Sequence, residues 1–191
     1  MKKYLVIGNP IEHSLSPELH NYWLKINKID AVYDKKKIHE NEIKNLISEI
    51  RKKKIIGINV TVPLKKIIIP FLDKLSSDAE STQSVNTIFL ENDKLIGHNT
   101  DIDGFKISIE NLRHDIADKK VLILGGGGVV PSIIFALNKI KMSKIYLSNR
   151  TRNKAENLKT LFKDITLINW GEIPDFDIII NATSVGLNKD E

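Results

Sequence analysis

The chain has 191 residues, of which 41% are hydrophobic and 28% charged, with a formal net charge of +5. That length holds one ordinary domain or two small ones, and the composition excludes a disordered chain. There is no cysteine, which excludes a disulfide framework, a cysteine zinc site, an iron–sulfur cluster and a cysteine nucleophile.

The positive charge raises the question of nucleic acid. Of the 29 basic residues, 25 are Lys and four Arg, and they are scattered. The densest runs, Lys35–Lys37 and Arg51–Lys54, have no interleaved aromatics. They read as solvated surface, so no nucleic-acid partner is expected. No stretch reaches the roughly 18 apolar residues of a membrane span. The apolar run after Met1-Lys2-Lys3 is too short for a signal peptide and reads as a strand, so a cytoplasmic protein is expected.

Strand and helix alternate along the chain, which predicts an α/β fold. Tyr4–Gly8 is a short apolar strand. Ser16-Pro17 opens a helix running to about Ile26, with Ser at the cap and Pro at the first position. Ala31–Ile38 is a strand. Glu40–Lys53 is an amphipathic helix with Ile43, Leu46, Ile47 and Ile50 on one stripe. Ile55–Val60 is a buried strand and Asp73–Ser81 a short helix. Thr87–Glu91 and Lys94–His98 form a hairpin around Asn92-Asp93. A helix follows over Asp101–Leu112. Val121–Leu124 is then a buried strand, Val129–Lys139 a helix with Pro131 in its first turn, Ile145–Ser148 a strand and Thr151–Phe162 a helix. Ile165–Ile168 and Asp177–Asn181 are two more strands. The organisation read from this order is a first α/β domain over 1–100, a linking helix and connection over 101–118, and a second domain over 119–191.

Gly125-Gly126-Gly127-Gly128 lies between a buried strand and a helix. There Gly125 allows a tight turn, Gly127 lets a pyrophosphate approach the backbone, and the helix N-terminus faces the phosphate charge. Val130 stands where the usual fingerprint has its third glycine. Roughly 20 residues further on, an NAD site would carry an acid for the ribose hydroxyls. Here the strand ends in Ser148-Asn149-Arg150-Thr151, with Arg152 and Lys154 behind. A guanidinium suits a 2′-phosphate, so NADP(H) is expected rather than NAD, with Thr151 capping the next helix and holding Arg150. The competing reading is a capped helix with surface cations.

Three polar segments of the first half also stand out. In Gly8-Asn9-Pro10-Ile11-Glu12-His13-Ser14-Leu15-Ser16-Pro17, Ser14 and Ser16 near a helix start could hold a carboxylate, or Ser16 could only cap the helix. In Asn59-Val60-Thr61-Val62-Pro63-Leu64-Lys65, Asn59 and Thr61 share one face of a strand end, and Lys65 follows a proline-fixed bend. The third segment is Gly97-His98-Asn99-Thr100-Asp101, with Ser84-Val85-Asn86-Thr87 upstream. Asp101 could cap its helix, partner Lys65, or both. The spacings of His13, His20 and His98 match no common metal pattern, so no metal is expected. No Gly-x-Ser-x-Gly elbow is present.

Taken together, these segments resemble the shikimate dehydrogenase family. The first half is similar to its substrate domain through Gly8-Asn9-Pro10, His13-Ser14-Leu15-Ser16-Pro17, His20-Asn21, Asn59–Lys65, Ser84–Thr87 and Asn99-Thr100-Asp101. The second is similar to its NADP domain through the four glycines, Asn149-Arg150-Thr151 and Asn181-Ala182-Thr183-Ser184-Val185-Gly186. The resemblance implies NADPH-dependent reduction of 3-dehydroshikimate to shikimate, in the route to aromatic amino acids, in a pocket between a substrate domain and a Rossmann-type domain. It implies Ser14 and Ser16 on the substrate carboxylate, and Asn59, Thr61, Asn86 and Asp101 on the ring hydroxyls and reacting oxygen. Lys65 and Asp101 would form the catalytic pair. The cofactor would lie on Gly125, Gly126, Gly127, Gly128, Val129, Asn149, Arg150, Thr151, Lys154 and Thr183.

Two departures qualify this. Val129 and Val130 are bulkier than the family's residues there, which weakens the expected grip on pyrophosphate. Family members also continue for several tens of residues past the Asn-Ala-Thr motif, so a C-terminally truncated chain, with an incomplete Rossmann domain and an open sheet edge, is expected. The alternatives are a quinate/shikimate dehydrogenase using NAD, against which Asn149-Arg150 argues, and a non-catalytic binding module, against which the retention of both Lys65 and Asp101 argues.

Overall fold

The computed structural model describes residues 1–111 and 117–186. Two compact units divide the chain, Met1–Thr100 and Asp101–Glu191. The helix predicted to link the domains falls within the second unit. Leu112, at its predicted end, and residues 187–191 lie outside the described residues.

The first unit is built on six strands: β1 (Lys2–Gly8), β2 (Ala31–Lys37), β3 (Gly57–Val60), β4 (Lys74–Leu75), β5 (Thr87–Glu91) and β6 (Lys94–His98). Their order in the sheet is β2-β1-β3-β5-β6-β4. β2, β1 and β3 run parallel. β5 and β6 turn back as an antiparallel hairpin against β3. Asn92 and Asp93 at its tip both have positive φ, 48° and 59°, as a two-residue hairpin turn that follows strand twist requires.

The helices of this unit are α1 (Ser16–Ile26), α2 (Ile43–Arg51), α3 (Leu64–Ile67) and α4 (Ser77–Thr82). The predicted stripe of α2 is buried in full, with Ile43, Leu46, Ile47 and Ile50 in the core beneath it. Its first turn, Glu40–Glu42, is 3₁₀, closed by a capping box between His39 and Glu42. By contrast α1 buries no residue completely, and Leu19, Trp23 and Ile26 are exposed on it.

The helix predicted over Asp73–Ser81 is divided. The Asp73 carboxylate accepts the Leu95 N–H at 2.7 Å, and the Ser76 N–H reaches the Gly97 carbonyl at 2.9 Å. The intervening residues therefore pair with β6 as an edge strand, and the helix begins only after Ser76, whose hydroxyl accepts the Ala79 N–H. α3 follows Pro63 directly, and the sequence pattern did not announce it.

The second unit has a four-stranded parallel sheet of β7 (Lys120–Leu124), β8 (Lys144–Ser148), β9 (Thr166–Leu167) and β10 (Ile178–Asn181), in the order β10-β7-β8-β9. Its helices are α5 (Asp101–Glu110), α6 (Val130–Lys139) and α7 (Arg152–Leu161), and α5 packs on α6. Val121 and Ile123 of β7 meet Val130, Ile133, Ile134 and Leu137 of α6 in one core. Strand order reverses beside β7, as in half of a doubly wound sheet. Among the described residues, β10 forms one edge of this sheet.

Candidate functional site

In an open α/β sheet, ligands sit beyond the carboxyl ends of the strands where the strand order reverses. The chain has two such places. In the first unit the reversal lies between β1 and β3. In the second it lies between β7 and β10.

At both, a glycine at the end of the first strand or just past it presses against the segment leaving its neighbour. A Cβ on Gly8 would lie 2.5 Å from the Thr61 methyl and 3.0 Å from the Val62 carbonyl oxygen. A Cβ on Gly125 would lie 2.7 Å from the Ala182 carbonyl oxygen, and Gly125 has φ +105°. The Thr61 N–H donates to Ile7 O at 2.9 Å, and the Ala182 N–H donates to Leu124 O at 2.8 Å. Each crevice is thus a strand end zipped to its parallel neighbour.

The second crevice, about 320 Å³, collects Gly125, Gly126, Gly127, Asn149, Arg150, Thr151, Lys154 and Thr183, together with Trp170 and Ala182. Its lining carries two cations and no carboxylate. Gly127 and Gly128 are exposed, and a Cβ on Gly128 would meet nothing within 4 Å. Exposed glycines at the start of a ten-residue helix, next to two cations, suit a phosphate. These residues therefore fit a dinucleotide with an added phosphate: the glycine turn for the pyrophosphate, Arg150 and Lys154 for the 2′-phosphate.

Two expectations for this loop need correction. Thr151 is the N-cap residue of α7 but makes no side-chain cap bond. The loop is held instead by Asn149, whose Nδ2 donates to the Thr151 carbonyl at 2.7 Å. Val130 points into the core and is wholly buried, so its bulk packs α6 onto the sheet, while Val129 stays exposed at the helix start. Past β10, Asn181 ties a small knot. Its Oδ1 accepts the Thr183 N–H at 3.0 Å and the Thr183 hydroxyl at 2.6 Å. Its Nδ2 donates to Val185 O at 3.1 Å.

The first crevice is made of side chains. Asn59, near the end of β3, donates through Nδ2 to the Asn86 carbonyl at 3.2 Å and to Thr87 Oγ1 at 3.1 Å. The Thr87 hydroxyl donates to Asn86 Oδ1 at 2.9 Å. The Thr100 N–H donates to the same oxygen at 3.0 Å. Asn59, Asn86 and the residue just before Asp101 thus belong to one network. Asn99 is fully buried and donates to Ser84 O at 2.9 Å and Thr82 Oγ1 at 3.1 Å, which fixes the strand end from behind.

Ser14 and Ser16 lie, half-buried, on the loop leaving β1 and at the start of α1. Ser16 is the first helical residue, not the cap, which is Leu15 without a side-chain bond. The Ser14 hydroxyl accepts the Ser16 N–H at 3.3 Å. Pro17 fills the position where a missing N–H is harmless, so no side-chain cap is demanded. Thr61 is half-buried on the segment that Gly8 abuts, and Lys65 is half-buried on α3. The Lys65 carbonyl accepts the Val85 N–H at 2.9 Å, which ties its turn to the segment carrying Asn86. Asp101 is the first residue of α5, in the other unit.

Sequence reasoning missed Tyr33. It is buried on β2 and its hydroxyl donates to Asn59 Oδ1 at 2.7 Å. Burial pushes its phenol well above the ordinary value. It also missed what His20 and Asn21 do. His20 stacks on Tyr33 with ring centroids 4.1 Å apart, and burial lowers its pKa. No local signal marks these roles, because Tyr33 and Asn59 meet from 26 residues apart in sequence. Among the described residues, no group of three His, Asp or Glu side chains could hold a metal ion.

A parallel-sheet unit with a glycine turn beside two cations, and a unit whose strand ends present amides and hydroxyls, are the parts of a dinucleotide-dependent oxidoreductase acting on a small polar molecule. Residues 6–88 match the family model of the shikimate dehydrogenase substrate binding domain. Residues 108–187 match that of the shikimate / quinate 5-dehydrogenases. The NADP(+)-dependent shikimate dehydrogenase of Pelagibacter ubique is 60% identical over 190 residues, covering 100% of this chain and 72% of that protein. The crystal structure of shikimate dehydrogenase from Aquifex aeolicus has a TM-score of 0.93 at 39% identity, over 100% of this chain and 72% of that one. That of the Thermus thermophilus enzyme, in complex with NADP(H) and shikimate, has a TM-score of 0.88 at 29% identity, over 98% of this chain and 70% of that one. The chain belongs to the family of NADP-dependent shikimate dehydrogenases. No helix among the described residues is long and apolar enough to cross a membrane.

Proposed function

We propose that this chain reduces 3-dehydroshikimate to shikimate in the cytoplasm, with the first crevice holding the ring and the second the NADPH. The observation that carries the assignment of the substrate side is the single hydrogen-bonded set of Asn59, Thr87, Asn86 and Thr100 at the end of β3. Such a set presents polar atoms in fixed directions, as recognition of a polyhydroxylated ring demands.

Each residue then has a task. Ser14 and Ser16 hold the substrate carboxylate through hydroxyls at the start of α1. Asn59, Thr61 and Asn86 hold the ring hydroxyls. Lys65 gives a proton to the ketone oxygen as negative charge develops there, and Asp101 orients and charges the ammonium. Gly125, Gly126, Gly127, Gly128 and Val129 receive the pyrophosphate, Asn149, Arg150, Thr151 and Lys154 the phosphorylated ribose, and Thr183 closes the crevice from β10. The bound cofactor supplies the hydride.

The test is shikimate-dependent reduction of NADP by the 191-residue chain, with NAD in parallel. Turnover favouring NADP supports the reading. Turnover favouring NAD would reassign Arg150, and binding of NADP without binding of shikimate would remove the substrate assignment.

A further inference from the structure

We propose that Tyr33 is a positioning residue that completes the fixing of the Asn59 amide, whose donors are both spent inside the protein, so that its oxygen offers the first crevice one acceptor site and a ligand hydroxyl must donate at that point. The proposal rests on the substrate reading above. The backbone oxygen of Asn86 can only accept, so the group 3.2 Å from it on Asn59 must be the amide nitrogen. That fixes which way round the amide lies. Its second N–H goes to Thr87 Oγ1 at 3.1 Å. The Thr87 hydroxyl is free to accept there because its own proton is committed to Asn86 Oδ1. Asn86 Oδ1 is held as an acceptor by the Thr100 N–H, which can only donate. Both donors of Asn59 are therefore spent inside the protein.

Asn59 Oδ1 faces Tyr33, whose hydroxyl donates to it at 2.7 Å. An amide oxygen has two lone pairs, so after this bond Asn59 has one acceptor site to offer and no donor. The polarity runs in one sense from Tyr33 through Asn59 and Thr87 to Asn86. A ligand hydroxyl that donates fits this arrangement. An ether, a ketone or a hydrogen at that place does not, and would leave the second lone pair of Oδ1 unused, at the loss of one hydrogen bond.

Tyr33 is itself held on two sides. The Asn21 amide brackets its backbone, Nδ2 donating to Tyr33 O at 2.7 Å and Oδ1 accepting the Tyr33 N–H at 2.9 Å. His20 lies flat on its ring, with planes 4° apart, and Trp23 meets the His20 ring edge-on at 5.4 Å. The adjacent pair His20-Asn21 thus acquires a role: it aims the phenol of a strand 12 residues away in sequence from Asn21.

The experiment measures the affinities of shikimate and its three monodeoxy analogues, each lacking one ring hydroxyl, for the chain and for Tyr33→Phe, by calorimetry. The Phe ring keeps the stack and loses the donor. In the unaltered chain one analogue is expected to bind about 10-fold or more weakly than shikimate. In Tyr33→Phe, shikimate binding falls about 3- to 10-fold, and the penalty for that one missing hydroxyl shrinks to within about 2-fold while the other penalties hold. Thr87→Val, which leaves the Tyr33 ring alone and releases an Asn59 N–H, is expected to erase the same penalty. It decides the matter if Tyr33→Phe does not fold. Equal weakening of all four ligands, or no change, would overturn the positioning role. Failure of the unaltered chain to bind shikimate would instead overturn the substrate reading, and the positioning role with it.

Discussion

The two crevices share a plan and differ in what lines it. Each sits where strand order reverses, and each has a glycine at the end of the inner strand or just past it, abutting the segment that leaves the neighbouring strand. Beyond β7 the lining is backbone and cations: exposed glycines, Arg150 and Lys154. Beyond β3 it is amides and hydroxyls bonded to each other in one sense. The first kind of surface attracts charge and tolerates an extended ligand. The second kind fixes donors and acceptors one by one, which suits a small ring whose substituents must be told apart. The same topology thus carries two kinds of lining, and the choice lies in the few residues after each strand.

The sharpest way to break this comparison is Lys65→Ala. If proton transfer belongs to the first crevice alone, turnover falls about 10²–10⁴-fold, while NADP affinity, measured by calorimetry, stays at its original value. A loss of NADP affinity would mean that the two crevices are not separable. Next is Arg150→Asp. Loss of a charge-assisted bond to a phosphate, with repulsion added, is expected to weaken NADP binding about 10- to 100-fold. NAD binding is expected to hold or improve, so the NADP-to-NAD affinity ratio is the quantity to follow.

The glycines sharpen the comparison at the level of stability. Gly125→Ala places a Cβ 2.7 Å from a carbonyl at φ +105° and is expected to cost about 2–3 kcal/mol in urea unfolding. Gly8→Ala meets mainly the Thr61 methyl, with no positive φ, and is expected to cost about 1–2 kcal/mol. Gly128→Ala, with open space around it, is expected to change stability by less than about 0.5 kcal/mol and to act, if at all, on NADP binding.

The smallest effect is one of pH. Burial holds the His20 pKa below its ordinary 6.5. As pH falls through the unfolded value, the unfolded chain takes up a proton that the folded chain resists. The His20 contribution is therefore complete above that value and is lost as pH falls toward the folded one. His20→Phe keeps a ring on Tyr33 and removes the titration. Its thermal midpoint is expected to fall less between about pH 7 and pH 5 than that of the unaltered chain.

The α/β alternation, the glycine turn and the α2 stripe were legible because period and punctuation are local signals. The grouping of the second crevice was legible for the same reason: Gly125, Asn149 and Arg150, which line it together, each follow a strand at a known spacing. What escaped were features set by pairing across the sheet. Lys74–Leu75 reads as helix until Ser76 and Asp73 bond to β6. Thr151 reads as a cap until the Asn149 amide takes its carbonyl. Val130 reads as an obstacle to phosphate until its side chain is seen in the core. Tyr33, an apolar-looking residue on a strand, shows nothing in the sequence of the hydroxyl it offers to Asn59 from 26 residues away.

The most direct test of two separate recognition chemistries is a ¹⁵N NMR titration of the chain with NADP and with shikimate in turn. NADP is expected to shift the backbone amides of Gly125, Gly126, Gly127 and Gly128 and those of Asn149, Arg150 and Thr151. Shikimate is expected to shift the side-chain amides of Asn59 and Asn86 and the backbone amides of Ser14 and Ser16. One common set of shifts for both ligands, or shikimate acting only on the glycine turn, would contradict the account.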